Sequence, residues 1–141
     1  MKRKILITEN NTDIRNLYEA ILAPFRADIT FVDGAEEAKQ DVAQNPFDLM
    51  FLEIEHSDDI ARADTVAELQ PDCPVVLVSS VPTSENSMQF IHSKPNRALF
   101  MKPFDITRLR ETVCAILAKK KDKYQQPALA EAGYSDFKLA V

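Results

Sequence analysis

Five residues could do chemistry by type and position: Glu9, Asn10, Glu53, Ser79 and Lys102 each stand at the end of a short apolar run. The runs are Ile5-Leu6-Ile7-Thr8, Leu49-Met50-Phe51-Leu52, Val75-Val76-Leu77-Val78 and Ala98-Leu99-Phe100-Met101. Runs apolar on both faces read as buried parallel strands covered by helices. Strands lying side by side bring their carboxyl ends to one sheet edge, where open α/β sheets place their pockets. There the Lys102 ammonium would pair with whatever negative charge the pocket holds, and Ser79 would offer a hydroxyl.

The elements between these runs must position them. Strand one spans Lys4 to Thr8, and Asn11-Thr12-Asp13 supplies cap residues for a helix whose inward stripe is Ile14, Leu17, Ile21 and Leu22, ending at Pro24. Asp28 to Val32 alternates and reads as an edge strand, followed by a helix on Ala35, Ala38 and Val42 that stops at Asn45-Pro46. The third strand covers Asp48 to Leu52. Ala63, Val66, Ala67 and Leu69 mark a short helix, closed by Pro71-Asp72-Cys73-Pro74 before strand four. Ser84 to His92 forms a helix with Met88 and Ile91 inward, ended by Pro95. After strand five, Asp105 caps a helix striped by Ile106, Leu109, Val113, Ile116 and Leu117. The order is βαβαβαβαβα, and right-handed crossovers then give a doubly wound α/β sheet with helices on both faces.

A chain of 141 residues makes one domain of about 120 residues and a tail. Residues 121–141 lack a domain's worth of core, although Leu129, Tyr134, Phe137 and Leu139 would suit docking on a surface or a partner. The net charge of −5 argues against nucleic acid, whose phosphates need a basic face. No apolar stretch is long enough to span a bilayer, and no secretory leader is evident, so neither a membrane nor export is expected. Cys73 and Cys114 have no metal-ligand spacing, and free thiols in a reducing cytoplasm are expected. His56 and His92 read as surface histidines, and Asp58 and Asp59 lie past the strand end as poor substitutes for an acceptor.

Residues 4–119 resemble the receiver domain of bacterial response regulators, the CheY-like superfamily. The resemblance rests on Lys4-Ile5-Leu6-Ile7 leading to Glu9-Asn10, Phe47-Asp48-Leu49-Met50-Phe51-Leu52, Pro74 to Ser79, and Lys102-Pro103-Phe104. No single motif is specific; their order and spacing are. The resemblance implies a flavodoxin-like (βα)5 fold with strand order 2-1-3-4-5 and a cis bond before Pro103. It also implies a metal-binding acidic pair at Glu9 and Asn10, a phosphoacceptor at position 53, and switch residues at Ser79, Leu99 and Lys102. Its partners would be signalling proteins, a histidine kinase or a downstream effector, and a homodimer would run through the last two helices and strand five.

Three departures stand against the resemblance. Glu53 replaces the phosphoaccepting aspartate, moving the carboxylate by about 1.5 Å, an error that in-line phosphoryl transfer tolerates poorly. Asn10 puts a neutral amide into the acidic pair, so the metal set Glu9, Asn10 and Glu53, with a backbone carbonyl of Glu55, is expected to be vestigial, with Mg²⁺ weak at most and no other cofactor. Leu99 stands where the family carries an aromatic switch. The sequence therefore reads as a stand-alone pseudo-receiver, not an enzyme, acting by protein–protein contact. Glu53 would be either a weak permanent mimic of the phosphorylated state or a structural partner of Lys102. The alternatives are a conventional phosphoaccepting receiver with a degenerate metal site and a small flavodoxin-like nucleotide or flavin binder. With 2 glycines and no Gly-rich loop after strand one, backbone cradling of a phosphate is unsupported.

Overall fold

A computed structural model describes residues 2–119. The expectations for residues 120–141, a tail and its docking, lie outside the described residues. The chain runs β1 (Lys4–Thr8), α1 (Thr12–Leu22), a 3₁₀ turn (Ala23–Phe25), β2 (Asp28–Val32), α2 (Ala35–Gln44), β3 (Leu49–Ile54), α3 (Asp59–Glu68), β4 (Val75–Ser79), α4 (Glu85–His92), β5 (Arg97–Met101) and α5 (Ile106–Lys119). All five strands are parallel, in the order β2-β1-β3-β4-β5. The Lys102–Pro103 bond is cis.

Strand alternation divides the core into two layers. Leu6, Met50, Leu52, Leu77 and Leu99 face α2, α3 and α4, where Val42, Val66 and Ile91 meet them. Ile5, Ile7, Phe51, Val76 and Phe100 face α1 and α5, where Tyr18, Ile21, Leu109 and Val113 close the other layer. Leu99 and Phe100 therefore point to opposite sides, as alternation requires. β2 is half-buried along most of its length, which fits its place at the sheet edge.

Caps set where the helices begin. Asn11 Oδ1 accepts the Ile14 N–H at 3.1 Å, Asp105 Oδ1 accepts the Arg108 N–H at 3.1 Å, and Ser84 and Ser87 cap each other's backbone N–H groups. Arg26, at φ 53°, takes the left-handed conformation that ends the 3₁₀ turn and lets its N–H bond Ala23 O at 3.1 Å.

Four details of the sequence reading are corrected. β3 does not stop at Leu52 but runs to Ile54, so Glu53 lies inside the ladder, opposite Val78 of β4. On α1 the inward position is Tyr18, not Leu17, which is 39% exposed. Leu69 and Ile106 are exposed as well, since each sits at a helix end beyond the reach of the sheet. On α4 Met88 is only half-buried, and Phe90 joins Ile91 in the core.

Candidate functional site

The carboxyl ends of β1, β3 and β5 bring three charges together. Glu9, the residue after β1, is 3% exposed, and its Oε1 lies 3.5 Å from the Lys102 Nζ. Lys102, the residue after β5, also ion-pairs with Oε1 of Glu53. Its reach crosses β4, which separates β3 from β5 in the sheet. The Lys102 main chain is fixed by its backbone N–H, which donates to Ser79 O at 2.8 Å. One ammonium thus serves two carboxylates.

The carboxylates are positioned by backbone on all sides. The Glu9 N–H donates to Val32 O of β2 at 2.9 Å, and its Oε2 accepts the Asn11 N–H at 3.1 Å. Arg15 of α1 donates from Nε to the Glu9 carbonyl and from its terminal nitrogen to Asp33 Oδ1 at 2.8 Å, lying over the Phe31 ring. The Glu53 N–H is accepted by Thr8 Oγ1 at 2.7 Å. Backbone pairing between β1 and β3 ends at Ile7 and Phe51, so the Thr8 hydroxyl extends the contact by side chain where the ladder stops. Sequence reasoning missed Thr8, Arg15 and Tyr18; a polar residue closing an apolar strand was the available signal for Thr8.

Burial and two neighbouring carboxylates together set the electrostatics. Burial pushes the Glu53 carboxyl above its ordinary range; Lys102 pulls it back in part, while Glu9 and Glu55 push it further up. Burial alone would lower Lys102, but its hydrogen bond and charge pairing with Glu53, together with Glu9, outweigh burial and raise it. The two shifts differ in origin: burial leads for Glu53, whereas the carboxylates of Glu53 and Glu9 raise Lys102 against burial. The buried Tyr18 hydroxyl is raised far above a free phenol, first by burial and then by Glu9 and Glu53.

The other expected residues sit differently. Asn10 is exposed and lines a cavity of about 150 Å³ together with Thr8, Glu53, Glu55, Asp59 and Arg62. Ser79 is buried, and its hydroxyl bonds within its own loop, accepting the Val81 N–H at 3.1 Å and lying 3.0 Å from Val81 O. Leu99 is fully buried in the layer under α2–α4. Asp59 anchors the loop after β3: its Oδ2 accepts the N–H groups of Glu55 and His56 at 2.9 and 3.0 Å, and its Oδ1 pairs with Arg62 at 3.0 Å. Burial raises the Asp59 carboxyl, but those two N–H groups and Arg62 outweigh it and hold it low. The exposed Cys114 and the buried Cys73 form no disulfide among the described residues.

Five parallel strands in the order 2-1-3-4-5, with helices on both faces, decide the architecture. The fold is that of a response-regulator receiver domain. A receiver domain protein (CheY-like) from Methanospirillum hungatei JF-1 superposes with a TM-score of 0.75 at 21% identity, covering 87% of this chain and 99% of that one. A two-component response regulator from Clostridium difficile gives 0.71 at 24% identity, covering 84% and 98%. In sequence, the chain is 27% identical over 128 residues to the response regulator protein PilR of Pseudomonas aeruginosa. The match takes in 89% of this chain but spans only 28% of that relative's length. No protein-family model matches the chain. Among the described residues, no helix is long and apolar enough to cross a membrane.

The receiver resemblance implies a divalent ion at Glu9, Asn10 and Glu53, and the residues present do not fit one. The Lys102 ammonium already stands against both carboxylates, and Asn10 is a neutral amide on the cavity wall. Among the described residues, no three His, Cys, Asp or Glu side chains are grouped to hold a metal ion.

Proposed function

We propose that this chain is a pseudo-receiver, a receiver-type module of two-component signalling that acts by protein–protein contact and forms no conventional aspartyl phosphate. One observation carries this: the side chain at the acceptor position is Glu53, and its carboxylate is engaged by Lys102. Glutamate sets the carboxylate about 1.5 Å from where aspartate would hold it, and displacement on that scale costs in-line transfer roughly a hundredfold. Lys102, the cation that would greet an incoming phosphoryl group, is already neutralised by fixed carboxylates. Ser79, the hydroxyl expected to close on such a group, is satisfied within its own loop.

The ion pair supports a single resting conformation rather than a switch. Glu53 supplies about one charge where a phosphoryl group carries nearly two, and it reaches Lys102 without any added group. The partners that fit are signalling proteins, a histidine kinase or a downstream effector. Incubation with acetyl phosphate and Mg²⁺ followed by intact mass tests the reading. The wild-type mass is expected to stay unchanged; a stoichiometric gain of one phosphoryl group would overturn the proposal.

A further inference from the structure

The mismatch between the charged cluster and a divalent ion has a specific cause in Lys102. We infer that the Lys102 ammonium is a tethered counter-ion that occupies the cation position between Glu9 and Glu53 and keeps divalent metals out of the pocket. The inference concerns the same pocket as the proposed function but stands on separate ground, since it says nothing about phosphoryl transfer.

Geometry supports it. Both carboxyl oxygens of Glu9 are engaged, Oε1 by Lys102 at 3.5 Å and Oε2 by the Asn11 N–H at 3.1 Å. Oε1 of Glu53 is taken by the same ammonium. The three side chains are enclosed, at 4%, 14% and 26% exposure for Glu9, Glu53 and Lys102. Mg²⁺ requires a near-octahedral shell of oxygens and sheds its water reluctantly. Entering here, it would have to evict an ammonium held by both carboxylates or sit beside its charge. With the ammonium in place the three groups carry one net negative charge; without it they carry two. Asn10 has a smaller part, because it is exposed and lies on the cavity wall.

The test is Mn²⁺ binding to the full chain by electron paramagnetic resonance, with no phosphodonor present, for wild type, Lys102→Met, Lys102→Gln, Lys102→Arg and Asn10→Asp. Wild type and Lys102→Arg should bind weakly and alike. Lys102→Met and Lys102→Gln should bind at least about tenfold more tightly, because repulsion between an ammonium and a divalent ion a few ångströms apart exceeds that factor. Asn10→Asp adds an exposed, screened carboxylate and leaves the ammonium in place, so it should stay within about threefold of wild type. Micromolar binding by wild type would overturn the inference, as would equal affinity in the Lys102 neutral variants. A tenfold gain in Asn10→Asp would also overturn it, and that exposed-site variant still discriminates if both neutral Lys102 variants fail to fold. Wild type that binds Mn²⁺ tightly yet gains no phosphoryl mass would defeat this inference and leave the pseudo-receiver reading intact.

Discussion

The Thr8 hydroxyl oxygen accepts the backbone N–H of Glu53 at 2.7 Å, and this bond continues the pairing of β1 with β3 beyond the last backbone partners, Ile7 and Phe51. It holds the Glu53 backbone beside the end of the strand that delivers Glu9. Replacing Thr8 by valine keeps the shape and strands a half-buried N–H, which costs about 1–3 kcal/mol. Urea denaturation should show that loss for Thr8→Val and little change for Thr8→Ser, which retains the acceptor. Equal stability of all three would show that the bond contributes nothing.

Lys102 and Glu53 should respond unequally to neutralisation. Lys102→Met leaves the almost fully buried Glu9 and its neighbour Glu53 without a cation, a change of the kind that costs about 3–5 kcal/mol. Glu53→Gln removes the surplus charge and leaves Glu9 paired with Lys102, so its stability should fall within about 1 kcal/mol of wild type. Denaturant midpoints of the two variants decide the matter, and a larger loss for Glu53→Gln would contradict the shared-ammonium picture.

The raised Lys102 gives a pH dependence with a definite sign. A lysine bound more tightly to its proton when folded contributes stability that is complete below the unfolded pKa, about 10.4, and disappears as pH rises through the still higher folded value. Wild type should therefore lose stability as pH rises above about 10 more steeply than Lys102→Arg, whose guanidinium stays charged. Chemical denaturation across that rise measures it; parallel curves would refute the assignment.

Arg97 opens β5 as a buried cation, 3% exposed, and the sequence reading did not single it out. Its guanidinium lies 3.9 Å from the Phe90 ring centroid and donates to Phe90 O at 3.2 Å and Ser93 Oγ at 2.8 Å, with Asp64 at 3.5 Å. Burial pulls its pKa down, and Asp64 only partly restores it. Arg97→Ala should cost about 3–5 kcal/mol by stranding those acceptors and emptying the space over Phe90. Asp64→Asn, at a half-exposed partner, should cost under about 1 kcal/mol. Thermal unfolding of the two variants separates packing from charge.

How much was legible beforehand follows from the kind of signal each residue carries. β1 and β2 have the bounds expected from their apolar runs, because strand period and turn residues are local properties. β3 was cut two residues short because Glu53 looks like a strand terminator; only pairing with β4 through Ile54 and Ser79 keeps it in the ladder. Leu17 and Tyr18 both fit helical spacing with Ile14 and Ile21. Tyr18 turns inward because Phe51 and Phe104 stand 5.6 and 5.9 Å from its ring, a choice made by the sheet and the chain after β5.

The sequence alone determined the order of the elements and which polar residues close the buried strands, since hydrophobic period and strand-end chemistry are written along the chain. That Lys102 spans β4 to serve Glu53 and Glu9 together, that Asn10 stays on the cavity wall, and that Ser79 bonds its own loop were decided only in three dimensions. The reason is physical: a strand's register and apolar faces are set by its own pattern, whereas a charged side chain chooses its partner from what neighbouring strands deliver within a few ångströms.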